Sequence, residues 1–276
     1  MHSATTRIQA RWIIPIEPEN TVLVDHSLLI QAGKIIALLP NAEATARYQA
    51  QETVILPDHV LLPGLVNTHT HLAMNLLRGL ADDLPLMTWL QQHIWPAEGR
   101  WISHEFVHDG SLLAMAELLR GGVTCFNDMY FFPEAVAEAA EQVGIRGVLG
   151  LIIMDFPSAW AATPAAYFER GLALYKQLQG HPLLTTALAP HAPYTVGDAS
   201  WRKVAELAET LALRVHTHVH ETAGEVAQSL AQYGVRPLER LTQLGLVNPR
   251  LLAVHMTQLQ ADEIMQLAAA GVHIGH

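Results

Sequence analysis

Cysteine is almost absent: Cys125 is the only one in 276 residues. A lone thiol excludes an internal disulfide framework and a cysteine-rich zinc site, and it suits a reducing compartment. Positive charge is scarce as well, with 16 Lys and Arg against 26 Asp and Glu and a formal net charge of −10. That sign disfavours binding to nucleic acid or to an anionic membrane through bulk charge, so a substrate has to be recognised locally. No stretch reaches the roughly 18 uninterrupted apolar residues of a membrane span. Residues 1–10 carry Thr5, Thr6, Arg7 and Gln9 where a signal peptide would be apolar. These absences lead us to expect a soluble, cytoplasmic protein with no nucleic-acid or membrane partner. Internal repeats, low-complexity tracts and linkers are also missing.

What the chain has in quantity is apolar surface, 50% of its residues, and histidine, of which there are 16, as many as Lys and Arg together. The first allows a large core. The second matters because imidazole is the commonest protein ligand for metals. Residues 1 to about 60 read as a small β unit, with short strands at 7–16, 21–30, 34–39 and 53–62 punctuated by Pro18, Gly33 and Pro57. From residue 59 to residue 276 apolar strand-like runs alternate with stretches of helical period, the pattern of βα units around a parallel sheet. Strands are expected at 65–68, 123–128, 146–154, 183–189, 213–218, 251–255 and 272–274. Helices are expected at 104–119, 133–143, 164–178, 199–212, 224–233 and 261–270.

Six strand-helix units and a seventh strand fit an open doubly wound sheet or a (β/α)8 TIM barrel. The first strand favours the barrel: it ends in LVNTHTH (65–71) without a glycine-rich phosphate loop, and polar residues gather at several strand ends, where a barrel carries its chemistry. A closed barrel takes eight strands and typically about 250 residues. Only about 216 follow residue 60, so the barrel is expected to be C-terminally incomplete, strands 1 to 7, with open edges on the first and seventh.

Side chains two apart on a strand share a face, so His69 and His71 at the first strand end can grip one cation together. The fifth strand ends in HTHVHE (216–221), three alternating histidines and a carboxylate. The period of two aims all three the same way. At least one of His216, His218 and His220 should bind metal, and the sequence alone does not say which. His191 and His255 fall at the ends of the fourth and sixth strands. Asn127 and Asp128 end the second strand, as helix caps or as hydrogen-bonding partners behind the site, and Asp155 ends the third. Met74 and Met87 are expected to pack, or to line an apolar slot for a thioether. Arg78, Arg100 and Arg146 read as surface ion-pair formers, and the histidines away from the strand ends as surface imidazoles.

Taken together, PGLVNTHTHL (63–72), NLLRG (75–79), LPLMTW (84–89), GGVT (121–124), APHAPY (189–194), HVHE (218–221) and VHM (254–256) resemble the amidohydrolase superfamily. Within it they resemble the branch of 5-methylthioadenosine/S-adenosylhomocysteine deaminases and related chlorohydrolases. The resemblance implies a barrel over 59–276 with a small β-sandwich made from both chain ends, of which residues 1–58 are the N-terminal part, and one divalent ion per chain, zinc or in some relatives iron, held by His69, His71 and His218. It implies Glu221 as the acid/base that hands a proton to the substrate ring and His255 as the imidazole beside the attacking water. Glu98, His191 and Trp89 match positions that contact the nucleoside or stand near the pocket; His216 and His220 match no ligand. A homodimer is also implied by the family's habit.

The chemistry so implied is zinc-dependent hydrolytic deamination, a hydrolase acting on the carbon–nitrogen bond of a cyclic amidine. Three neutral imidazoles leave the ion doubly positive, which brings the pKa of water from about 15.7 toward about 7. Attack on the amino-bearing ring carbon charges the neighbouring ring nitrogen, which Glu221 can protonate. The deaminase architecture built on a His/Cys/Cys zinc site is excluded by the single cysteine. Guanine, cytosine and chlorotriazines remain alternative substrates. In the family an Asp at the eighth strand completes the metal shell, and no residue here matches it. An inactive fragment that binds metal weakly is therefore the alternative from a different class.

Overall fold

The computed structural model describes residues 2–276. Contacts divide the chain into two units, one ending at Gly64 and one spanning Leu65–His276.

In the first unit β1 (His2–Ile13), β2 (Leu23–Gln31), β3 (Lys34–Pro40) and β4 (Tyr48–Leu61) form a sheet of order β3-β2-β1-β4, with helix α1 (Asn41–Arg47) leading into β4. β1 runs antiparallel to β2 and parallel to β4. The β2–β3 hairpin turns through Ala32 and Gly33, both at positive φ, the twist that tight hairpins favour. Ala4, Leu29 and Ala44 form a small core. Arg7 ties sheet to helix by donating to Ser27 Oγ at 2.9 Å, Thr45 Oγ1 at 2.8 Å and Asn41 O at 3.1 Å. The strand expected at 53–62 starts earlier, at Tyr48, and α1 was not anticipated. Helix α1 is a short Ala-rich segment stabilised by burial of Ala44 and by the Glu43–Arg47 pair one turn apart at 2.5 Å.

The second unit is a seven-stranded parallel sheet. Its strands are β5 (Leu65–Thr70), β6 (Val123–Met129), β7 (Arg146–Ile153), β8 (Leu184–Pro190), β9 (Val215–Val219), β10 (Leu251–His255) and β11 (His273–Gly275), neighbours in sequence order. The sheet curls into a nearly closed barrel, such that a Cβ built on Gly275 of β11 would lie 3.5 Å from Thr68 Oγ1 of β5. Between β5 and β6 the chain makes a 3-10 turn (Leu72–Leu77), α2 (Leu86–Trp89), a π turn (Leu90–Ile94), α3 (Trp95–Trp101) and α4 (His104–Arg120). The remaining helices are α5 (Pro133–Val143), α6 (Pro164–Gln177), α7 (Asp198–Thr210), α8 (Ala223–Tyr233), α9 (Pro237–Gln243) and α10 (Ala261–Ala270).

In this second unit every strand and every long helix falls within a few residues of where the alternation of apolar runs places it, whereas β1, expected at 7–16, spans His2–Ile13. Side-chain caps explain the starts of α4, α6 and α8, where Ser103, Thr163 and Thr222 accept from the backbone N–H three residues on. The short pieces between residues 72 and 101 and α9 were not anticipated, because Gly79, Pro85 and Pro96 break any helical period there and α9 is only seven residues long. The core is filled by Trp160, Tyr167, Trp201 and Phe126, all fully buried. Gly110 of α4 is required by close approach: a Cβ there would meet Ala73 O at 2.8 Å and Ala73 Cα at 2.9 Å. The turn that follows His71 therefore lies directly on the helix backbone. Among the described residues no helix is long and apolar enough to cross a membrane.

Candidate metal centre and active site

The C-terminal ends of the barrel strands carry most of the candidate site residues. At β5 the pairing with β6 shifts register between Asn67 and Thr70, a local irregularity that re-aims side chains. Asn67 Oδ1 accepts from His69 N at 3.2 Å and Asn127 Nδ2 donates to Thr68 O at 3.0 Å, fixing this stretch. His69 and His71 meet edge to face with ring centroids 4.7 Å apart. Asp128 Oδ1 accepts from Leu72 N at 2.7 Å and Met129 O faces His71 Nδ1 at 2.5 Å, so the end of β6 grips the segment that carries His71. Asp155 is structural: its carboxylate accepts from Gly197 N and Ser200 Oγ at the start of α7. Arg78 pairs with Glu117 at 2.6 Å on the surface, as expected.

On β9, His216 and His218 are buried and point the same way, into the barrel. His218 Nδ1 lies 2.7 Å from His191 O, and its Nε2 lies 3.2 Å from His69 Nε2. His220 does not follow them, which corrects the expectation that all three histidines share one direction. The strand ends at Val219, and His220 takes a φ of 53° that turns its ring away to accept from Leu238 N at 3.1 Å. Its carbonyl accepts from Thr257 N, Gln258 N and Thr257 Oγ1, which holds the turn in this sparsely populated conformation.

His255, at a φ of 76°, stacks on His218 at 5.3 Å between centroids and lies 5.7 Å from His69. One nitrogen from each of His69, His218 and His255 falls within 4.8 Å of the others. His71 stands next to this set, 5.2 Å from His218 between ring centroids. Glu221 Oε1 is 3.4 Å from His255 Nε2. His191 packs edge to face on His218 at 4.9 Å and contacts Thr195 Oγ1 through Nδ1 at 3.0 Å. Glu98 on α3 accepts from Tyr130 Oη at 2.7 Å, and the Trp89 indole donates to Leu80 O at 3.2 Å.

A cavity of about 420 Å³ is lined by all eight residues to which the family resemblance gave a role, His69, His71, Trp89, Glu98, His191, His218, Glu221 and His255, but not by Met87, His216 or His220. Met74, Met154, Tyr130 and Tyr194 also line it. Tyr130 and Glu225 were missed. Tyr130 had no motif to mark it. Glu225, whose carboxylate accepts from Glu221 N at 2.7 Å, sits in a Thr222-x-x-Glu225 capping pattern that the sequence does show.

Burial dominates the electrostatics. It lowers His69 to about 2, helped by the neighbouring imidazoles of His71, His216, His255 and His191. Burial, then His71, lowers both His191 and His216 to about 3. His218 falls well below its ordinary value for the same reasons. These rings are therefore neutral, the form that ligates metal. Burial raises Glu98, Asp128 and Glu225 each to about 7 and pushes Glu221 upward.

The donor set fits a divalent ion. His71 and His218 each turn Nδ1 to a backbone carbonyl and so keep the N–H there, which leaves Nε2 as a bare lone pair. The 3.2 Å between His69 Nε2 and His218 Nε2 is close to the ~3.3 Å expected of two nitrogens bound at about 2.0–2.1 Å to one tetrahedral ion. Bare lone pairs facing each other at that distance repel unless a proton or a cation lies between them.

A near-closed parallel barrel with imidazoles on its strand ends is the architecture of a metal-dependent barrel protein. The sequence matches the amidohydrolase family over residues 60–275, and the chain belongs to that family. The chain is 46% identical over 269 residues to a 5-methylthioadenosine/S-adenosylhomocysteine deaminase of Saccharophagus degradans, covering 98% of this chain and 60% of that protein. It is 47% identical to the protein of the same name from Teredinibacter turnerae, covering 98% and 61%. Among solved structures it resembles an adenosine deaminase from Xanthomonas campestris with bound zinc, at 53% identity and a TM-score of 0.97 over 99% of this chain and 62% of that one. The chain thus spans about three fifths of the length of these relatives.

Proposed function

We propose that the chain carries the catalytic cavity of a metal-dependent hydrolytic deaminase. Its substrate would be an adenosine-type nucleoside, 5-methylthioadenosine or S-adenosylhomocysteine, converted to the inosine form. Water adds at the amino-bearing ring carbon, the carbon–nitrogen bond breaks, and ammonia leaves. The observation that carries this reading is the convergence of His69, His71, His218, His255, Glu221, Glu98 and His191 on one cavity. The names of the curated relatives support the choice of substrate class.

In this reading His69, His71 and His218 would hold one divalent ion, zinc by analogy with the Xanthomonas protein. The ion supplies Lewis acidity that makes water nucleophilic at neutral pH. Glu221, whose raised pKa keeps a proton available, delivers it to the ring nitrogen beside the attacked carbon. His255, 3.4 Å from the Glu221 carboxylate, orients the attacking water. Glu98, held by Tyr130, and His191 meet the polar atoms of the nucleoside, while Met74, Met154 and Trp89 give the cavity an apolar wall suited to a thioether. Ammonia release from 5-methylthioadenosine, S-adenosylhomocysteine, adenosine, guanine, cytosine and chlorotriazines tests the proposal. Turnover of the adenosine compounds is expected. Turnover of guanine, cytosine or a chlorotriazine alone would reassign the substrate, and little zinc uptake together with no turnover would favour the inactive reading.

A further inference from the structure

His216 was the one inward-facing histidine without a role, and its surroundings supply one. The two nitrogens of His69 are both engaged: Nδ1 is 2.8 Å from His216 Nε2, and Nε2 is 3.2 Å from His218 Nε2. His216 is 1% exposed, and among the described residues its Nδ1 has no hydrogen-bond partner. His218 keeps its proton on Nδ1 against His191 O, so its Nε2 can only accept. Each neutral imidazole carries a single N–H. Without an ion one arrangement satisfies both contacts: His216 Nε2–H donates to His69 Nδ1, and His69 Nε2–H donates to His218 Nε2.

We propose that His216 is the positioning residue for His69, and that ion binding switches the tautomers of both rings. The inference rests on the metal-centre reading above. An ion at His69 Nε2 needs that nitrogen bare, so the His69 proton moves to Nδ1 and donates to His216 Nε2. The His216 proton then moves to Nδ1. Each ring keeps one proton throughout, and charge is unchanged. The His69–His216 contact survives with its direction reversed, which fixes the plane of the His69 ring and makes it a better donor to the ion. His71 and His218 lean instead on the carbonyls of Met129 and His191, which side-chain substitution does not remove. Of the three candidate ligands, only His69 is oriented by a replaceable side chain.

The test compares zinc affinity, read by competition with a chromogenic chelator, in the full chain and in its His216→Phe and His216→Gln variants. Thermal unfolding of the chelator-treated proteins is measured in parallel. Phe fills the space and cannot accept; Gln offers an amide oxygen. The expectation is a loss of roughly 10- to 100-fold in zinc affinity for His216→Phe, recovery of most of it in His216→Gln, and a metal-free Tm little changed in either. Nitrogen-15 NMR of histidine-labelled wild-type protein is expected to show His216 passing from the Nε2–H to the Nδ1–H form as zinc is added. Equal zinc affinity in wild type and His216→Phe, or a His216 that keeps Nε2–H with zinc bound, would overturn the proposal. If His216→Phe does not fold, the wild-type NMR decides alone. A wild-type chain that takes up no zinc would remove the metal-centre reading and this inference with it, whereas zinc binding indifferent to His216 would remove the inference only.

Discussion

The Glu221 carboxylate lies 3.4 Å from the His255 ring nitrogen, across the gap between the ends of β9 and β10. The two side chains line one cavity; His255 is the last residue of β10, whereas Glu221 lies beyond the end of β9, outside the strand backbone that holds the fold. Replacing Glu221 by Gln should therefore leave folding and zinc content intact and lower kcat by about 100- to 10,000-fold, the usual worth of a positioned acid or base. Because burial raises the Glu221 pKa, the wild-type rate should fall as pH rises through that raised value. A kcat within threefold of wild type would remove Glu221 from the role.

The paired substitution His69→Ala, His71→Ala removes two imidazoles that meet edge to face at 4.7 Å. Elemental analysis of the purified proteins should find about one zinc per wild-type chain and close to none in the variant, since the remaining imidazoles cannot close a tetrahedral site. Retention of zinc by the variant would place the ion elsewhere.

Much of this site was legible in the sequence, because two kinds of regularity coincided. Period-two placement of His69 with His71 and of His216 with His218 follows from strand geometry, and strands that all run parallel bring their C-terminal ends to one face. What was not legible depends on contacts distant in the chain. His220 departs from the alternation only because Thr257 and Gln258 hold its carbonyl. Tyr130 finds Glu98 across 32 residues of intervening chain, much of it in short pieces that no periodicity announces. The relation of His216 to His69 spans 147 residues, and no spacing rule could have indicated it.

Among the described residues Tyr130 is the one hydrogen-bonding partner of the Glu98 side chain, at 2.7 Å. Burial raises Glu98 to about 7 and the phenol works against that rise. In Tyr130→Phe the carboxyl should protonate at still higher pH and lose its fixed orientation. Steady-state kinetics should show KM raised severalfold, on the order of one ordinary hydrogen bond's net contribution of about 0.5–1.5 kcal/mol, with kcat much less affected. An unchanged KM would argue that Glu98 does not meet the substrate.

Acid should destabilise the metal-free protein in a recognisable shape. His69, His191 and His216 titrate near 2 to 3 when folded and at about 6.5 when unfolded. Their contribution is complete above about pH 6.5 and is lost as pH falls toward 3, because the unfolded chain then binds more protons. Glu98, Asp128 and Glu225 act in the opposite sense: raised to about 7, they contribute fully at low pH and lose that contribution as pH rises toward 7. Between about pH 4 and 6.5 the two sets oppose each other, and His71 and His218, also lowered, tip the balance toward the histidines. Below about pH 4 the carboxyls are protonated in both states and only the histidines still act. Thermal unfolding should show Tm declining gently from pH 6.5 to 4.5 and steeply below 4. A Tm that climbs steadily down to pH 4 would mean that the carboxyls dominate.

Gly110 tests whether α4 sets the geometry of the proposed metal centre. Any Cβ at this position meets the carbonyl oxygen and Cα of Ala73, two residues beyond His71, at 2.8 and 2.9 Å. The third neighbour, Leu76 Cδ1 at 3.2 Å, can rotate away, but the Ala73 backbone cannot. Gly110→Ala must therefore push the 3-10 turn (Leu72–Leu77) off α4 or bend α4 itself. Helix propensity favours Ala by up to about 1 kcal/mol, while overpacking costs about 1–3 kcal/mol, so the net change should be a destabilisation, read by denaturant unfolding. If the turn is what yields, His71 moves with it, and the stabilisation gained on adding zinc should shrink in the variant. If α4 yields instead, stability falls by the same amount with and without zinc. The difference between the two unfolding curves thus reports whether the packing of one glycine governs the placement of a ligand.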